Sequence, residues 1–390
     1  MPSQTTERAD PLPESASLLL DVVRFSAALL VVMDHFTLPE FALGYPDRQI
    51  LGMIAVPVFF VLSGFVIRYV TRTRESRANE YFVDRASRIY SVVLPAMAFT
   101  LVVSLVCFAL DRRRFLHDWS GVFTHPIARL VFNLLFVSQA WGRNTIPFLN
   151  IPFWSLGYEC IYYLLYGFLF YCRGWRRLLP CILIAALIGP QVMLLFPIWW
   201  LGCWLYDAYA ALRGHRIAKA AAAVFGIWLT LSLGLALAGR SAFLDAQLRA
   251  FWWFVRLPNP LRLAGLSEAR ASLFAVAIGT LTAIILFFLL LAVDPLTISR
   301  SNRYATAFRR VANGTFTIYL MHFPLLVLLL YVGVVRPEHW TGNAVAGLGL
   351  CVLLTAAAVP VDRFKLLLRN WLRALVRRYF RAAPALARPN

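Results

Sequence analysis

Residues 18–36 read LLLDVVRFSAALLVVMDHF. The run is close to the roughly 20 apolar residues that a helix needs to cross a bilayer. It also holds four ionisable side chains, Asp21, Arg24, Asp34 and His35. Charge inside hydrocarbon is costly and by default marks function. At about 100° per residue, Asp21, Arg24 and His35 fall within roughly 60° of one another, and Arg24 and His35 lie about 16 Å apart along the axis. Asp34 points about 100° away from His35, because neighbours in sequence do not share a helix face. A direct Asp34–His35 contact would need a bent or frayed helix end. The stretch can be read as a structural Asp21–Arg24 pair followed by a polar helix end. It can also be read as one catalytic face, with His35 as a general base that titrates near neutrality.

The rest of the chain is of the same kind. Of 390 residues, 60% are hydrophobic and 15% charged, against about 25% charged in soluble domains. The net charge of +19 comes from 38 Lys and Arg against 19 Asp and Glu. In so apolar a chain it points to basic cytoplasmic loops and anionic lipid, and no nucleic acid partner is expected. The six cysteines lie in or beside apolar runs without metal-ligand spacing, so neither a disulfide framework nor a metal site is expected. The first sixteen residues are polar and slightly acidic, unlike a signal peptide, so the first apolar run is expected to remain as a membrane helix.

Apolar runs predict an all-α polytopic membrane protein with about ten transmembrane helices. They fall at 17–37, 51–70, 90–110, 152–171, 178–196, 197–212, 218–239, 272–293, 315–335 and 342–361. The stretch 127–140 is short and reads as interfacial or re-entrant; if it spans, the count becomes eleven. With the N-terminus in the cytoplasm, the inside segments hold 23 Lys and Arg and the outside ones 12. That asymmetry predicts an N-in, C-in topology. The domain layout is then a cytoplasmic tail over 1–16, a transmembrane domain over 17–361 and a basic tail over 362–390. In that last tail Phe364, Leu367, Trp371 and Leu375 recur at helical spacing among arginines, as in an amphipathic helix on the inner leaflet.

Four further polar islands interrupt the apolar runs. Ser63-Gly64 permits close helix approach, and Arg68 follows at the cytoplasmic edge. Arg85 and Arg88 share a face at a helix start, where two planar guanidiniums suit a phosphate-bearing ligand as well as a plain basic cluster. Ser155 and Glu159 lie one turn apart, with Tyr162, Tyr163 and Tyr166 continuing that side. The carboxylate needs a partner, and Arg24 and His35 are the candidates. His322 sits in a late helix between Tyr319 and Pro324, and a second intramembrane histidine suggests a shared polar cavity.

The motifs LDVVRFSAALLVVMDHF, VFFVLSGFVIR, RASRIY, FWSLGYECIYYLLYG and TFTIYLMHFP follow one another from residue 20 to residue 325. In order and spacing they resemble the acyltransferase 3 family of membrane O-acyltransferases. The resemblance departs where Ser91, in place of a proline, follows RIY, and where Asp362-Arg363-Phe364 ends the last helix. It implies an enzyme of the bacterial inner membrane with acetyl-CoA or another acyl-CoA as donor. The acceptor it implies is a hydroxyl of a glycan or lipid-linked glycan, with a small natural product such as a macrolide as the alternative. By the same resemblance His35 matches the essential histidine, Arg24 the first-helix arginine, and Arg85 and Arg88 the R-x-x-R pair. Glu159 matches the W-S-L-x-x-E glutamate and His322 the late histidine. The acyl-CoA phosphates are then expected at Arg85, Arg88 and Arg68. His35 either removes the acceptor's proton or takes the acyl group itself, with Asp34 or Glu159 orienting the ring. A transporter or flippase without covalent chemistry is the rival class, against which the lack of a visible inverted repeat counts.

Overall fold

The computed structural model describes residues 10–38, 40–41, 50–74, 77–215, 220, 224–226, 269–299 and 301–380. Every regular element among them is a helix. We number them α1 (Glu14–Phe36), α2 (Ile50–Thr73), α3 (Ala78–Leu110), α4 (Arg112–Asp118), α5 (Pro126–Leu134), α6 (Phe153–Tyr171), α7 (Trp175–Ile188), α8 (Pro190–Met193), α9 (Phe196–Leu212), α10 (Ala269–Val293), α11 (Arg303–Asn313), α12 (Thr315–Tyr331) and α13 (Trp340–Phe380). Among the described residues, five segments are long and apolar enough to cross a membrane: Glu14–Phe36, Leu51–Thr73, Ala78–Leu110, Pro190–Leu212 and Phe274–Val293. The pair α11 and α12, bent by 46°, makes a sixth. Of the predicted helix over 218–239 only residues 220 and 224–226 are described; the rest lies outside the described residues.

Helix boundaries differ from the sequence expectation in three places, each for a local reason. The expected inside loop 71–89 is mostly helix: α2 runs to Thr73 and α3 starts at Ala78, so Arg85 and Arg88 belong to the same 33-residue helix as the apolar run. Charged residues stop a hydropathy run without stopping a helix. The expected helix 178–196 is broken, because Gly189 takes φ 86° and Pro190 follows it as the first residue of α8. That backbone suits glycine, and proline suits a helix start. The stretch 127–140, expected to be too short to span, holds only the nine-residue α5 and then turns. Finally α13 carries on through the expected 361/362 boundary, so the last apolar run and the basic tail are one helix of 41 residues.

The tightest packing is between α2 and α9. A Cβ on Gly64 would lie 1.9 Å from the Trp199 carbonyl oxygen, and one on Gly202 would lie 2.1 Å from that of Val61. Backbone meets backbone there, as expected of Ser63-Gly64. Small residues at such crossings let dispersion contacts accumulate where lipid gives no hydrophobic incentive. Buried tyrosines fill the centre, and two of the most buried have partnered hydroxyls: Tyr162 donates to the Val192 carbonyl at 2.6 Å and Tyr81 to the Tyr163 carbonyl at 2.9 Å. An unpartnered hydroxyl in such surroundings would be costly.

Three ion pairs join segments expected on one side of the membrane. Arg213 reaches Asp10 at 3.1 Å, Arg309 reaches Glu14 at 2.5 Å, and Arg373 of α13 grips Asp84 of α3 at 2.7 Å. The large aromatic and aliphatic core around α2, α6 and α9 and a second apolar cluster around α3, α4 and α12 meet near the end of α1.

Candidate functional site

The site is built on the last turn of α1 and the middle of α12. His35 Nδ1 lies 2.9 Å from the Val31 carbonyl oxygen, one turn back on its own helix. His322 Nδ1 makes the same local contact with the Ile318 carbonyl at 3.0 Å. The two rings meet across the helix pair, with His322 Nε2 3.1 Å from His35 Nδ1. His322 is fully buried. Phe323 packs edge-on against His35, with Phe41 and Trp119 around it. Asp34 is also buried, but it leaves α1 towards α2, where a Cβ on Gly52 would lie 2.6 Å from its Oδ2. Helical geometry survives to Phe36, so Asp34 and His35 turn to different neighbours, as their spacing predicts.

The turn that carries His322 has a support that the sequence reading missed. Pro324 has no N–H to give to the Leu320 carbonyl, four residues before it. Asn150 supplies the donor: its Nδ2 lies 2.7 Å from the Leu320 oxygen and 3.1 Å from Thr100 Oγ1. Asn150 is fully buried. Pro324 inside a helix was the available signal that some residue had to serve the freed carbonyl, but nothing local pointed to position 150.

A cavity of about 150 Å³ opens among α1, α2, α3, α6 and α12; neither histidine lines it, and its link to the pair is Tyr319, whose ring centroid lies 6.3 Å from that of His322. Its polar lining includes Arg24, Arg88, Ser63, Ser155, Glu159 and Tyr319. Tyr319, one turn before His322, is part of that lining, and its hydroxyl meets Ser155 Oγ at 2.5 Å and the Pro152 carbonyl at 3.2 Å. Glu159 Oε1 accepts from Ser63 Oγ at 2.6 Å and from the Tyr163 hydroxyl. Trp199 Nε1 donates to Ser63 Oγ at 3.1 Å and completes the network. The carboxylate's partners are therefore hydroxyls; Arg24 and His35, the candidates from sequence, are engaged elsewhere. Ser63, read from sequence as a packing residue, also holds Glu159.

The arginines divide. Arg24 pairs with Asp21 at 2.7 Å and donates to the Ala312 carbonyl at 3.3 Å, while still lining the cavity. Arg88 is exposed at the cavity, whereas Arg85 is buried with its guanidinium 5.7 Å from the Tyr81 ring. Sharing one turn of α3 thus gives them different surroundings. Arg68 is gripped by Asp207 of α9, with Nε 2.9 Å from Oδ1 and Nη2 2.7 Å from Oδ2. Asp207 lies in an apolar run, which was the signal for such a partner.

Fold and site together define a class: a helical membrane protein with a pair of hydrogen-bonded imidazoles and an inner cavity lined by two arginines and a glutamate. The chain belongs to the acyltransferase 3 family, whose profile, described as an acyltransferase domain, matches residues 18–363. It is similar to "Acyltransferase MdmB" of Streptomyces mycarofaciens, 32% identical over 155 residues, which is 36% of each chain. It is also similar to "Exopolysaccharide production protein ExoZ" of Rhizobium meliloti (strain 1021), 28% identical over 131 residues, 32% of this chain and 37% of that one. The alignments thus span little more than a third of either relative. No solved structure matches the chain.

Proposed function

We propose that this chain is a bacterial inner-membrane O-acyltransferase, moving an acyl group, acetyl in the simplest case, from acyl-CoA to a hydroxyl of a glycan or lipid-linked glycan. The observation that carries the reading is the His35–His322 pair, with one ring nitrogen of His35 anchored by Val31 and His322, one turn of α12 from Tyr319 in the cavity wall. Membership of the acyltransferase family supports the chemistry, and the name of one relative, an exopolysaccharide production protein, supports a glycan acceptor.

In this reading Arg88 and Arg85 meet the acyl-CoA phosphates, and the pantetheine arm enters the cavity past Arg24 and Glu159. Arg68, already held by Asp207, fixes α2 against α9. His35 removes the acceptor's hydroxyl proton, and that oxygen attacks the thioester carbonyl. The C–S bond breaks, and the departing thiolate takes the proton back from the imidazolium. Ten spans, with both termini cytoplasmic, fit the excess of 23 inside cations over 12. Labelling of a cysteine at position 388 from outside only would refute that orientation.

The test of the chemistry is transfer of labelled acetyl from acetyl-CoA to soluble and lipid-linked glycans by the purified protein in lipid nanodiscs. His35→Gln should lower the rate by about 10²–10⁴-fold with insertion unchanged. Absence of any covalent product would favour a transporter or flippase. Equal rates in wild type and variant would remove His35 from the chemistry.

A further inference from the structure

The hydrogen bonds around the two imidazoles fix where their protons are. A carbonyl oxygen only accepts, so a ring nitrogen at hydrogen-bond distance from one must carry hydrogen. His35 Nδ1 lies 2.9 Å from the Val31 oxygen, and His322 Nδ1 lies 3.0 Å from the Ile318 oxygen. Both Nδ1 atoms are therefore protonated. A neutral imidazole carries one N–H, so both Nε2 atoms are bare. His322 Nε2 lies 3.1 Å from His35 Nδ1 and can only accept there. The His35 Nδ1–H is then shared between the Val31 carbonyl and the His322 ring.

The reverse arrangement, with His322 Nε2–H donating, is worse in a countable way. It puts a lone pair of His35 Nδ1 against the Val31 oxygen. If His322 is neutral, it also puts one of His322 Nδ1 against the Ile318 oxygen. If His322 is instead doubly protonated, a full charge sits on a ring with no exposure whose hydrogen-bond partners are a carbonyl and a second imidazole. Burying such a charge is expensive.

We propose that His322 is a positioning residue that acts only as a hydrogen-bond acceptor, and that Nε2 of His35 is the one nitrogen of the pair free to take a proton from a substrate. His322 does for His35 what a carboxylate does for histidine in other bases: it holds the tautomer and the ring plane, and accepts from the imidazolium when it forms. It does so without a charge, which suits a site among Phe41, Trp119 and Phe323. The inference rests on His35 as the base in the function proposed above and assigns roles within the pair.

The first test needs no activity. Ring nitrogen-15 NMR of the protein with labelled histidine, in detergent or lipid, should show a scalar coupling across the N–H···N bond. It should connect a protonated Nδ1 of His35 to a bare Nε2 of His322, with signals assigned from the two single variants. A proton on His322 Nε2, or no coupling between the rings, overturns the proposal even if the protein transfers acyl groups. The second test is kinetic. His322→Leu should lower kcat by about 10- to 150-fold, the loss of one charge-assisted hydrogen bond, with little change in KM. His322→Gln, whose amide oxygen can accept the same proton, should recover part of that loss. If His322→Leu is as dead as His35→Gln while correctly folded, His322 handles the proton itself and the assignment is wrong. If no variant or wild-type protein transfers acyl groups, the functional reading fails while the NMR result stands by itself.

Discussion

Replacing Asn150 by leucine should loosen the turn that carries His322, by an amount the structure lets one work out. The side chains are similar in size, so the packing loss is small. What goes is the donor to the Leu320 carbonyl at 2.7 Å, the group that Pro324 leaves without a backbone partner. Leaving a buried acceptor unpaired costs about 1–3 kcal/mol. Thr100 is little affected, since its hydroxyl still donates to the Ala96 carbonyl at 2.7 Å. Asn150 Oδ1 is itself buried without a protein partner, so leucine also removes one unsatisfied atom. The net should fall near the low end, about 1–2 kcal/mol. Denaturant unfolding in detergent micelles would read it. The decisive measurement is the double variant. Pro324→Ala restores an N–H at 324 that can reach the Leu320 oxygen. Asn150→Leu with Pro324→Ala should therefore be less destabilised than the sum of the single changes, by about 1 kcal/mol or more. Additive effects would show that Asn150 does not serve the carbonyl freed by the proline.

Three other changes follow from the same structure. Arg88→Ala should raise KM for acyl-CoA about 10- to 150-fold through loss of one phosphate contact, with acceptor KM little moved. Arg85→Ala, at a buried position, should lower the yield of folded protein as well; unchanged acyl-CoA binding in both variants would remove them from donor recognition. Gly64→Ala should disrupt the α2–α9 crossing, because its Cβ would stand 1.9 Å from the Trp199 oxygen. Wild-type thermal stability of that variant would show that the helices separate freely.

The sequence by itself determined that the chain is helical with several runs apolar enough to cross a membrane, because a long apolar run has only one low-cost way to satisfy its backbone in lipid. It also marked His35, Arg24, Glu159 and His322 as polar groups that must be accounted for, and placed Asp34 off the face of His35 by simple helix geometry. Where helices end was less legible. Charge on α3 and α13 marks the edge of hydrocarbon, not the end of hydrogen bonding, so both helices run past the boundaries that hydropathy draws. Which polar group meets which was decided by tertiary packing alone. Glu159 has Ser63 and Tyr163, Arg68 has Asp207, and His35 has His322, 287 residues away. Periodicity is a property of one helix and says which side a residue faces. Only the packing of one helix on another decides what stands there, and a buried polar group must settle with the partner it finds.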